Sequence, residues 1–424
     1  AAELASTHPG VRVLRADGGV YAEAGASPAI ELATAIATGV TYLRALEAAG
    51  VDTTAAFEQI ALAVTVGTDQ FGDIAKIRAL RIMWARVAQA CAAEGVTAKV
   101  QASTAAALAT TRDPWVNMLR VTVGCFAAAT AGADVVVVRP FDASIGVPDD
   151  LGLRIARNTQ LALLEESNLH RVVDPAGGSW YVEHLTDELA AAAWQVFQDI
   201  ESDGGMVAAL QGGTLHRRID DAWSSTEEAV ARRARPITGV SEFPDLDEVV
   251  LERPPTPATQ PVGGQLDFEP LAPRRLAGAF EDLRDAADAA GGEAAVFLAN
   301  LGPVAAHTAR AAWAKNFFAA GGIRAIDNDG FDDSTELAAA FRDAASPAVV
   351  ICSSDAVYTE NGAAAAVALR DAGAQRIYLA GNPGELRSTF TSAGVDEFIH
   401  VGCDVLATLR DVHDLLGLTR EATS

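Results

Sequence analysis

Short apolar segments that alternate with amphipathic ones are the feature that most restricts the fold of this chain. In residues 1–235 the strand-like segments span residues 11–15, 60–66, 98–103 and 133–138, and a helix-like segment follows each of them. This alternation is typical of a parallel sheet with helical crossovers. The fourth segment is nearly pure valine, so we expect a strand buried on both faces.

Four βα units are too few to close a (β/α)₈ TIM barrel. The sequence therefore predicts the C-terminal half of such a barrel, with the first half absent or elsewhere; an open doubly wound sheet is the alternative.

Composition shifts divide the chain into three parts. Residues 1–235 form the predicted half-barrel, and residues 236–290 contain a proline-rich linker around residues 253–264, followed by a short amphipathic helix at 277–289. Residues 291–424 form a second domain. Its strands are expected at 295–299, 323–326, 348–352, 376–380 and 397–401, with helices between them. Five strands and five helices in this length predict a flavodoxin-like α/β layer, in which ligands lie at the carboxyl ends of the strands.

The charge and cysteine content exclude several classes of function. The 424 residues carry a formal net charge of −24, which argues against nucleic-acid binding because phosphate contacts need a basic face. The apolar stretches are interrupted before they reach membrane-spanning length, so no membrane partner is expected. The four cysteines are far apart and include no Cys-x-x-Cys pair, and the histidines share no metal spacing; no metal site is expected, and a reducing cytoplasm fits.

Several ordered segments carry a resemblance to a known family. They are Glu23-Ala24-Gly25-Ala26, Arg154-Ile155-Ala156-Arg157-Asn158-Thr159-Gln160, Glu165-Glu166-Ser167, Asp174-Pro175-Ala176-Gly177-Gly178-Ser179-Trp180-Tyr181-Val182-Glu183 and Gly204-Gly205-Met206. In order and spacing they are similar to the methylmalonyl-CoA mutase family over about 230 residues, and the domain after the linker resembles that family's cobalamin-binding domain in position and pattern. The resemblance identifies the scaffold without establishing activity.

The residues that the resemblance would place at the barrel mouth depart from the pattern of active members. Active members carry a Tyr-His pair before the Glu-Ala-Gly segment, and this chain has Gly19 and Val20 there, with Tyr21 two places away. On a later strand, Gln101 replaces a histidine and Ser103 replaces a glutamine. Where active members place a His and an Asn before Phe-Asp, the chain carries Val137 and Arg139.

Together, these replacements remove hydrogen-bond donors for a thioester carbonyl and a carboxylate, and put shorter or apolar groups in their place. The loss of such donors lowers the reaction rate by orders of magnitude. No catalytic residue is therefore expected. A rebuilt pocket of Gln101, Arg139 and Tyr21 is the alternative.

The second domain departs from the cobalamin pattern as well. Cobalamin-binding members carry Asp-x-His-x-x-Gly after the first strand, whereas this chain has Ala305, His307 and Arg310 at the three fixed positions. The surrounding residues 303–318 are typical of continuous helix. We interpret His307 as a helix-surface or cap histidine, with a cobalt ligand as the alternative. Asp355 after the third strand and Ala380 after the fourth would also crowd a buried nucleotide tail.

The resemblance implies a non-catalytic small subunit that stabilises a catalytic chain. That partner, the large subunit of a methylmalonyl-CoA mutase, would bind adenosylcobalamin and interconvert methylmalonyl-CoA and succinyl-CoA in the cytoplasm, while this chain would bind no cofactor. The second hypothesis is an active adenosylcobalamin-dependent acyl-CoA mutase with an altered site. A third is an interaction or chaperone module, for which the sequence offers no nucleotide-binding P-loop.

Overall fold

The computed structural model describes residues 2–8, 10–93, 95–257, 267–291 and 294–418. The chain divides into two compact units. We call Ala1–Ser225 with Leu251–Leu276 the N-terminal unit, and Thr226–Val250 with Ala277–Ser424 the C-terminal unit. The segment predicted to be a linker, 236–290, is thus shared between the two units. The domain limits drawn from the sequence stay a prediction.

The N-terminal unit contains a four-stranded parallel sheet in the order β1-β2-β3-β4. Its strands are β1 (Leu14–Asp17), β2 (Ile60–Val66), β3 (Val100–Thr104) and β4 (Val135–Val137). The prediction for β2 is confirmed at both ends, and the other three predicted strands overlap the observed ones with shifted ends. Consecutive strands are neighbours, as expected when each strand, crossover helix and next strand form one unit.

Local signals explain the long helix that follows β1. The Ser27 side chain accepts a hydrogen bond from the Ile30 N–H, and Pro28 occupies the first helical turn. Gly50 adopts φ +81° just after the helix, a backbone conformation that favours glycine. The helices of this part of the chain are α1 (Ala2–Thr7), α2 (Gly19–Glu23), α3 (Pro28–Ala48), α4 (Thr53–Glu58), α5 (Gln70–Ala90), α6 (Val116–Thr130), α7 (Asp150–Leu161), α8 (Trp180–Ser202), α9 (Met206–Gln211) and α10 (Thr214–Ala231).

The helices of this unit cover one face of the sheet, while the other face, which we call the open face, is covered at β2 but much less so at β3 and β4. Val100 and Ala102 of β3 belong to the hydrophobic core with residues of α3 and α5, while the alternate positions of β3 are only partly buried. At the sheet edge, the side chains of Val135 and Val137 are 51% and 41% exposed. The expectation that the valine strand is buried on both faces is therefore wrong for this chain. Valine at these positions suits a strand whose second face is covered by further elements, which the described residues do not supply.

Helix α3 is apolar enough to satisfy a length and composition test for a membrane span. Its apolar window is 67% buried inside the fold, and most of its side chains from Ile30 to Ala37 lie in the hydrophobic core. The helix packs against β1, β2 and α8. We therefore interpret it as a core helix.

A buried charge network ties α3 and α5 to the end of β2. Glu31 accepts from the Thr65 N–H at 2.5 Å and from the Thr65 hydroxyl at 2.8 Å, and Asp73 accepts from the Gly67 N–H at 2.6 Å. The Lys76 ammonium lies 3.0 Å from both Glu31 and Asp73. Burial by itself lowers the pKa of Lys76, but the two carboxylates more than offset it, so this pKa lies above its usual value. Lys76 is therefore charged in the folded protein.

The proline-rich stretch is anchored to the N-terminal unit. We call residues 251–257 and 267–276 the strap. Arg253 lies 2.6 Å from the fully buried Asp142 and 2.8 Å from Asp149, and the Val147 N–H donates to the Pro254 carbonyl at 2.8 Å. The strap thus makes long-range bonds that its composition does not reveal.

The far end of the strap is held by backbone bonds as well. The Arg274 N–H donates to the Glu23 carbonyl at 2.8 Å, and the Leu276 N–H donates to the Ala107 carbonyl at 3.0 Å. Both acceptors follow the carboxyl end of a strand, so the strap lies beside the edge of the sheet at which α/β units bind ligands.

The C-terminal unit contains five parallel strands in the order β6-β5-β7-β8-β9. Its strands are β5 (Ala295–Asn300), β6 (Arg324–Ile326), β7 (Ala348–Cys352), β8 (Arg376–Ala380) and β9 (Glu397–Ile399), each close to its predicted position. Its helices after the strap are α11 (Gly278–Ala289), α12 (Val304–Ala319), α13 (Ser334–Ala344), α14 (Asp355–Val357), α15 (Ala363–Asp371), α16 (Arg387–Ser392) and α17 (Val405–Leu415). The predicted amphipathic helix at 277–289 is α11.

Candidate functional site

The open face of the N-terminal sheet brings several of the predicted site positions together. The register pairs Gln101 with Val135 and Ser103 with Val137, so these side chains share one face. The Gln101 amide nitrogen donates to the Ser103 hydroxyl at 3.3 Å. The polar groups on β3 therefore partly satisfy each other, and Val137 beside them offers no donor.

Arg139 follows β4 and is directed by its neighbours toward the carboxyl ends of the strands. Its backbone N–H donates to the Thr104 hydroxyl at 2.8 Å, and its Nε donates to the Thr104 carbonyl at 2.9 Å. Its Nη2 atom lies 3.7 Å from Glu23. The Arg139 guanidinium is thus held beside the Glu23 carboxylate. In the sequence, Glu23 stood out only as part of the Glu-Ala-Gly segment that resembles the family.

Gly19 and Val20 lie on the short helix α2. The Gly19 N–H donates to the Asp17 carboxylate at 2.9 Å, and the Val20 side chain is 54% exposed. Tyr21, in contrast, is buried in the hydrophobic core, and this burial raises the pKa of its hydroxyl to about 12. The alternative of a rebuilt pocket from Gln101, Arg139 and Tyr21 therefore fails at Tyr21, which packs against the interior.

In the C-terminal unit, the crevice between the ends of β5 and β7 is the position where such sheets bind ligands. Arg310 donates to the Ser353 carbonyl at 2.6 Å and lies 2.5 Å from Asp355, and its guanidinium stacks 4.8 Å above the Tyr358 ring. A Cβ atom on Gly381 would come within 3.1 Å of the same guanidinium. Arg310 therefore fills the space beside the end of β8.

The Tyr358 side chain links the ends of β7 and β8. Its hydroxyl lies 3.0 Å from the Ile351 carbonyl oxygen and 2.8 Å from the Ala380 carbonyl oxygen, and it accepts from the Ser353 N–H at 3.0 Å. These groups end two neighbouring strands, and burial raises the pKa of the hydroxyl. Sequence reasoning missed Tyr358 because its partners are backbone atoms, which leave no sequence pattern.

His307 is buried against the turn that follows β6. Its ring is 4% exposed, and Nε2 lies 3.3 Å from the Asp329 carbonyl oxygen. Gly330 adopts φ +105°, and a Cβ there would meet the His307 Nε2 atom at 2.9 Å and the Gly302 carbonyl at 2.3 Å. The interpretation as a surface or cap histidine is therefore wrong, because the turn at residues 327–330 covers the ring.

The contacts of His307, Arg310 and Tyr358 bear on whether this unit has room for a corrin with a buried nucleotide tail. His307 lies on the first turn of α12 with its Nε2 directed at a carbonyl, and Arg310 with Tyr358 occupies the space at the strand ends. Among the described residues, no group of three or more His, Cys, Asp or Glu side chains is arranged to hold a metal ion.

Replacing Tyr358 by phenylalanine is expected to destabilise the C-terminal unit by about 2 kcal/mol, because the buried Ser353 N–H loses its acceptor. Hydrogen exchange measured by mass spectrometry should show faster exchange in β7 and β8. Tyr42→Phe in the N-terminal unit serves as the control and should leave these strands unchanged. Equal exchange in Tyr358→Phe and the unmodified protein would contradict the assigned role of the hydroxyl.

Comparison with known proteins supports the family resemblance that the ordered segments suggested. The family model described as Methylmalonyl-CoA mutase matches residues 3–261, more than half of the chain. The methylmalonyl-CoA mutase small subunit of Streptomyces virginiae is 47% identical over 416 residues, which cover 97% of this chain and 65% of that protein. The small subunit of Propionibacterium freudenreichii subsp. shermanii is 37% identical over 422 residues, which cover 98% of this chain and 65% of that protein.

Similarity to large subunits is confined to a shorter stretch. The methylmalonyl-CoA mutase large subunit of Streptomyces virginiae is 34% identical over 232 residues, which cover 54% of this chain and 32% of that protein. The chain spans about 65% of the length of the small-subunit relatives named above. From the family match and the order of the signature segments, we conclude that this chain belongs to the methylmalonyl-CoA mutase family.

Proposed function

We propose that this chain is a non-catalytic, stabilising small subunit of a heterodimeric methylmalonyl-CoA mutase. Its partner would be the large subunit, which would carry adenosylcobalamin and interconvert methylmalonyl-CoA and succinyl-CoA in the cytoplasm. The observation that carries the proposal is the chemistry of the open face, where Gln101 donates to Ser103 and is flanked by Val137. A thioester and a carboxylate would find few free donors there.

The extent of similarity supports the assignment to the small-subunit class. Small-subunit relatives align with 97% and 98% of this chain, whereas a large subunit aligns with 54% of it. The family model also ends at residue 261, before the C-terminal sheet begins.

The proposed architecture is half of a (β/α)₈ TIM barrel followed by a flavodoxin-like domain. Four parallel strands in consecutive order, with helices on one face and the exposed Val135 and Val137 on the other, suit a barrel segment whose interior face meets further strands. In the C-terminal unit, the order β6-β5-β7-β8-β9 is the 2-1-3-4-5 order of flavodoxin-like sheets. The remaining third of the relatives' length would supply the other half of the barrel, on this polypeptide or on another chain.

The same proposal leaves the cofactor on the partner. Arg310 and Tyr358 fill the space at the ends of β7 and β8, and the His307 Nε2 atom faces a carbonyl. Both contacts count against the alternative of an active cobalamin-dependent mutase, which would need the strand ends open for the cofactor. The role of the chain would instead be to bury surface of the catalytic subunit, which stabilises that subunit by mass action.

Co-expression with a methylmalonyl-CoA mutase large subunit tests the proposal. We expect the tagged chain to retain the large subunit in a one-to-one complex and to raise its thermal midpoint, while the isolated chain leaves the absorbance spectrum of added adenosylcobalamin unchanged. An isolated chain that is monomeric, stable and unable to retain the large subunit would refute the assembly. A spectral change that disappears in His307→Ala would instead favour the active mutase.

A further inference from the structure

A cavity of about 220 Å³ lies beyond the carboxyl ends of β2 and β3 in the N-terminal unit, and residues of both the strand ends and the strap line it. Its wall is largely apolar and includes Val66, Leu108, Val121, Pro140 and, from the strap, Pro273. An apolar cavity of roughly 150 Å³ stays free of water and binds benzene. This cavity therefore has room for a molecule of that kind and slightly larger.

The two charged side chains nearest the strand ends bind each other and the backbone. The Glu23 carboxylate accepts from the N–H groups of Ala106 and Ala107, each at 2.7 Å, and lies 3.7 Å from Arg139. The Arg139 Nε atom in turn donates to the Thr104 carbonyl at 2.9 Å. These contacts stabilise both charges within the protein, so neither one needs a counter-charge from a ligand.

The other charged side chains of the lining are engaged as well. Arg274 pairs with the Asp220 carboxylate, and Arg120 donates to the side-chain oxygen of Asn117 at 2.7 Å. Arg275 also has an interaction partner of its own. A ligand in the cavity would thus meet an apolar wall and charged groups that the protein already binds. An ion would lose its hydration there without gaining a matching contact.

We propose that this cavity binds a small neutral apolar molecule, about the size of benzene or toluene. The molecule would lie against Leu108 and Val121 on one side and against Pro273 of the strap on the other. It would thereby add apolar contacts between the strap and the carboxyl edge of the sheet. The site goes beyond the proposed assembly function and does not depend on it.

Calorimetric titration of the full chain with toluene, with benzoate and with the benzylammonium ion tests the site. We expect toluene to bind at least about tenfold more tightly than either ion, because only the ions lose hydration of a charge. Ala143 lines the cavity, and Ala143→Leu should weaken toluene binding at least about tenfold by filling the space. Ala192→Leu makes the same change at an exposed position of α8 and should leave toluene binding unchanged.

A second measurement locates the site without any substitution. The Leu276 N–H donates to the Ala107 carbonyl, so its exchange with solvent requires this end of the strap to open. If opening the strap releases the ligand, toluene at about ten times its Kd should slow this exchange about tenfold. The Leu301 N–H, which donates to the Cys352 carbonyl in the C-terminal unit, should exchange at an unchanged rate.

Four outcomes would overturn the proposal. They are an affinity for either ion that equals the affinity for toluene, an equal loss of toluene binding in Ala143→Leu and Ala192→Leu, no saturable toluene binding up to its solubility limit, and unchanged exchange of Leu276 under saturating toluene. The exchange measurement decides the question if Ala143→Leu does not fold. None of these outcomes bears on retention of the large subunit, so the two proposals can fail separately.

Discussion

Replacing Lys76 by methionine is expected to lower the free energy of unfolding of the N-terminal unit by about 3–5 kcal/mol. The Lys76 ammonium is buried and lies 3.0 Å from each of two buried carboxylates. Methionine fills a similar volume but leaves Glu31 and Asp73 facing each other without a cation. Because both carboxylates also bind the end of β2, the loss should loosen α3 and α5 together.

Urea unfolding followed by tryptophan fluorescence measures this change. Five of the six tryptophans (Trp84, Trp115, Trp180, Trp194 and Trp223) belong to the N-terminal unit, so the signal reports chiefly on it. Lys99→Met is the matched control, since Lys99 pairs with Asp134 at the surface and such a pair contributes about 0–1 kcal/mol. If the two methionine variants unfold at the same urea concentration, the buried network does not hold the helices as described.

Replacing Arg253 by methionine is expected to detach the first part of the strap. Arg253 is the cation beside Asp142, whose side chain is fully buried, and an unpaired buried carboxylate costs about 3–5 kcal/mol. Local release of residues 251–257 would hydrate Asp142 at a lower cost than unfolding the whole unit. We therefore expect the N–H of Val147, which donates to the Pro254 carbonyl, to exchange at least about 100-fold faster.

Hydrogen exchange around Val147 and limited proteolysis within the strap check this expectation. Arg44→Met removes a guanidinium of the same unit from an exposed pair with Glu201 and should leave both measurements unchanged. Unchanged protection of Val147 in Arg253→Met would show that the backbone bond to Pro254 is sufficient to hold the strap.

The sequence predicted the elements whose signals are local. Strand β2 was placed correctly at both ends, and Ser27, Pro28 and Gly50 marked the limits of α3 because capping bonds form between near neighbours. The burial of β4 was wrong for a different reason. A valine run shows that a strand suits two covered faces, but it does not show whether the covering residues belong to the same chain.

The site was less accessible to sequence reasoning because its decisive contacts join distant residues. Arg253 stands 111 positions from Asp142 and lies in a stretch whose prolines indicated a linker. His307 was expected at a helix surface, yet a turn about 20 residues further along the chain covers it. The family resemblance placed Gln101, Ser103, Val137 and Arg139 near the strand ends, while burial of Tyr21 in the core could be learned only from the packing.

The exposed edge strand β4 has a consequence for how the chain must be produced. Among the described residues no further strand pairs with its outer edge, and the exposed side chains of Val135 and Val137 add an apolar surface at which other chains can associate. During synthesis in a cell, newly made copies that meet each other before a suitable cover arrives would associate through this edge and precipitate. Production of this chain at the same time as the chain or segment that covers β4 would therefore affect the yield of soluble protein. We expect this effect to be larger than that of the fold's own stability.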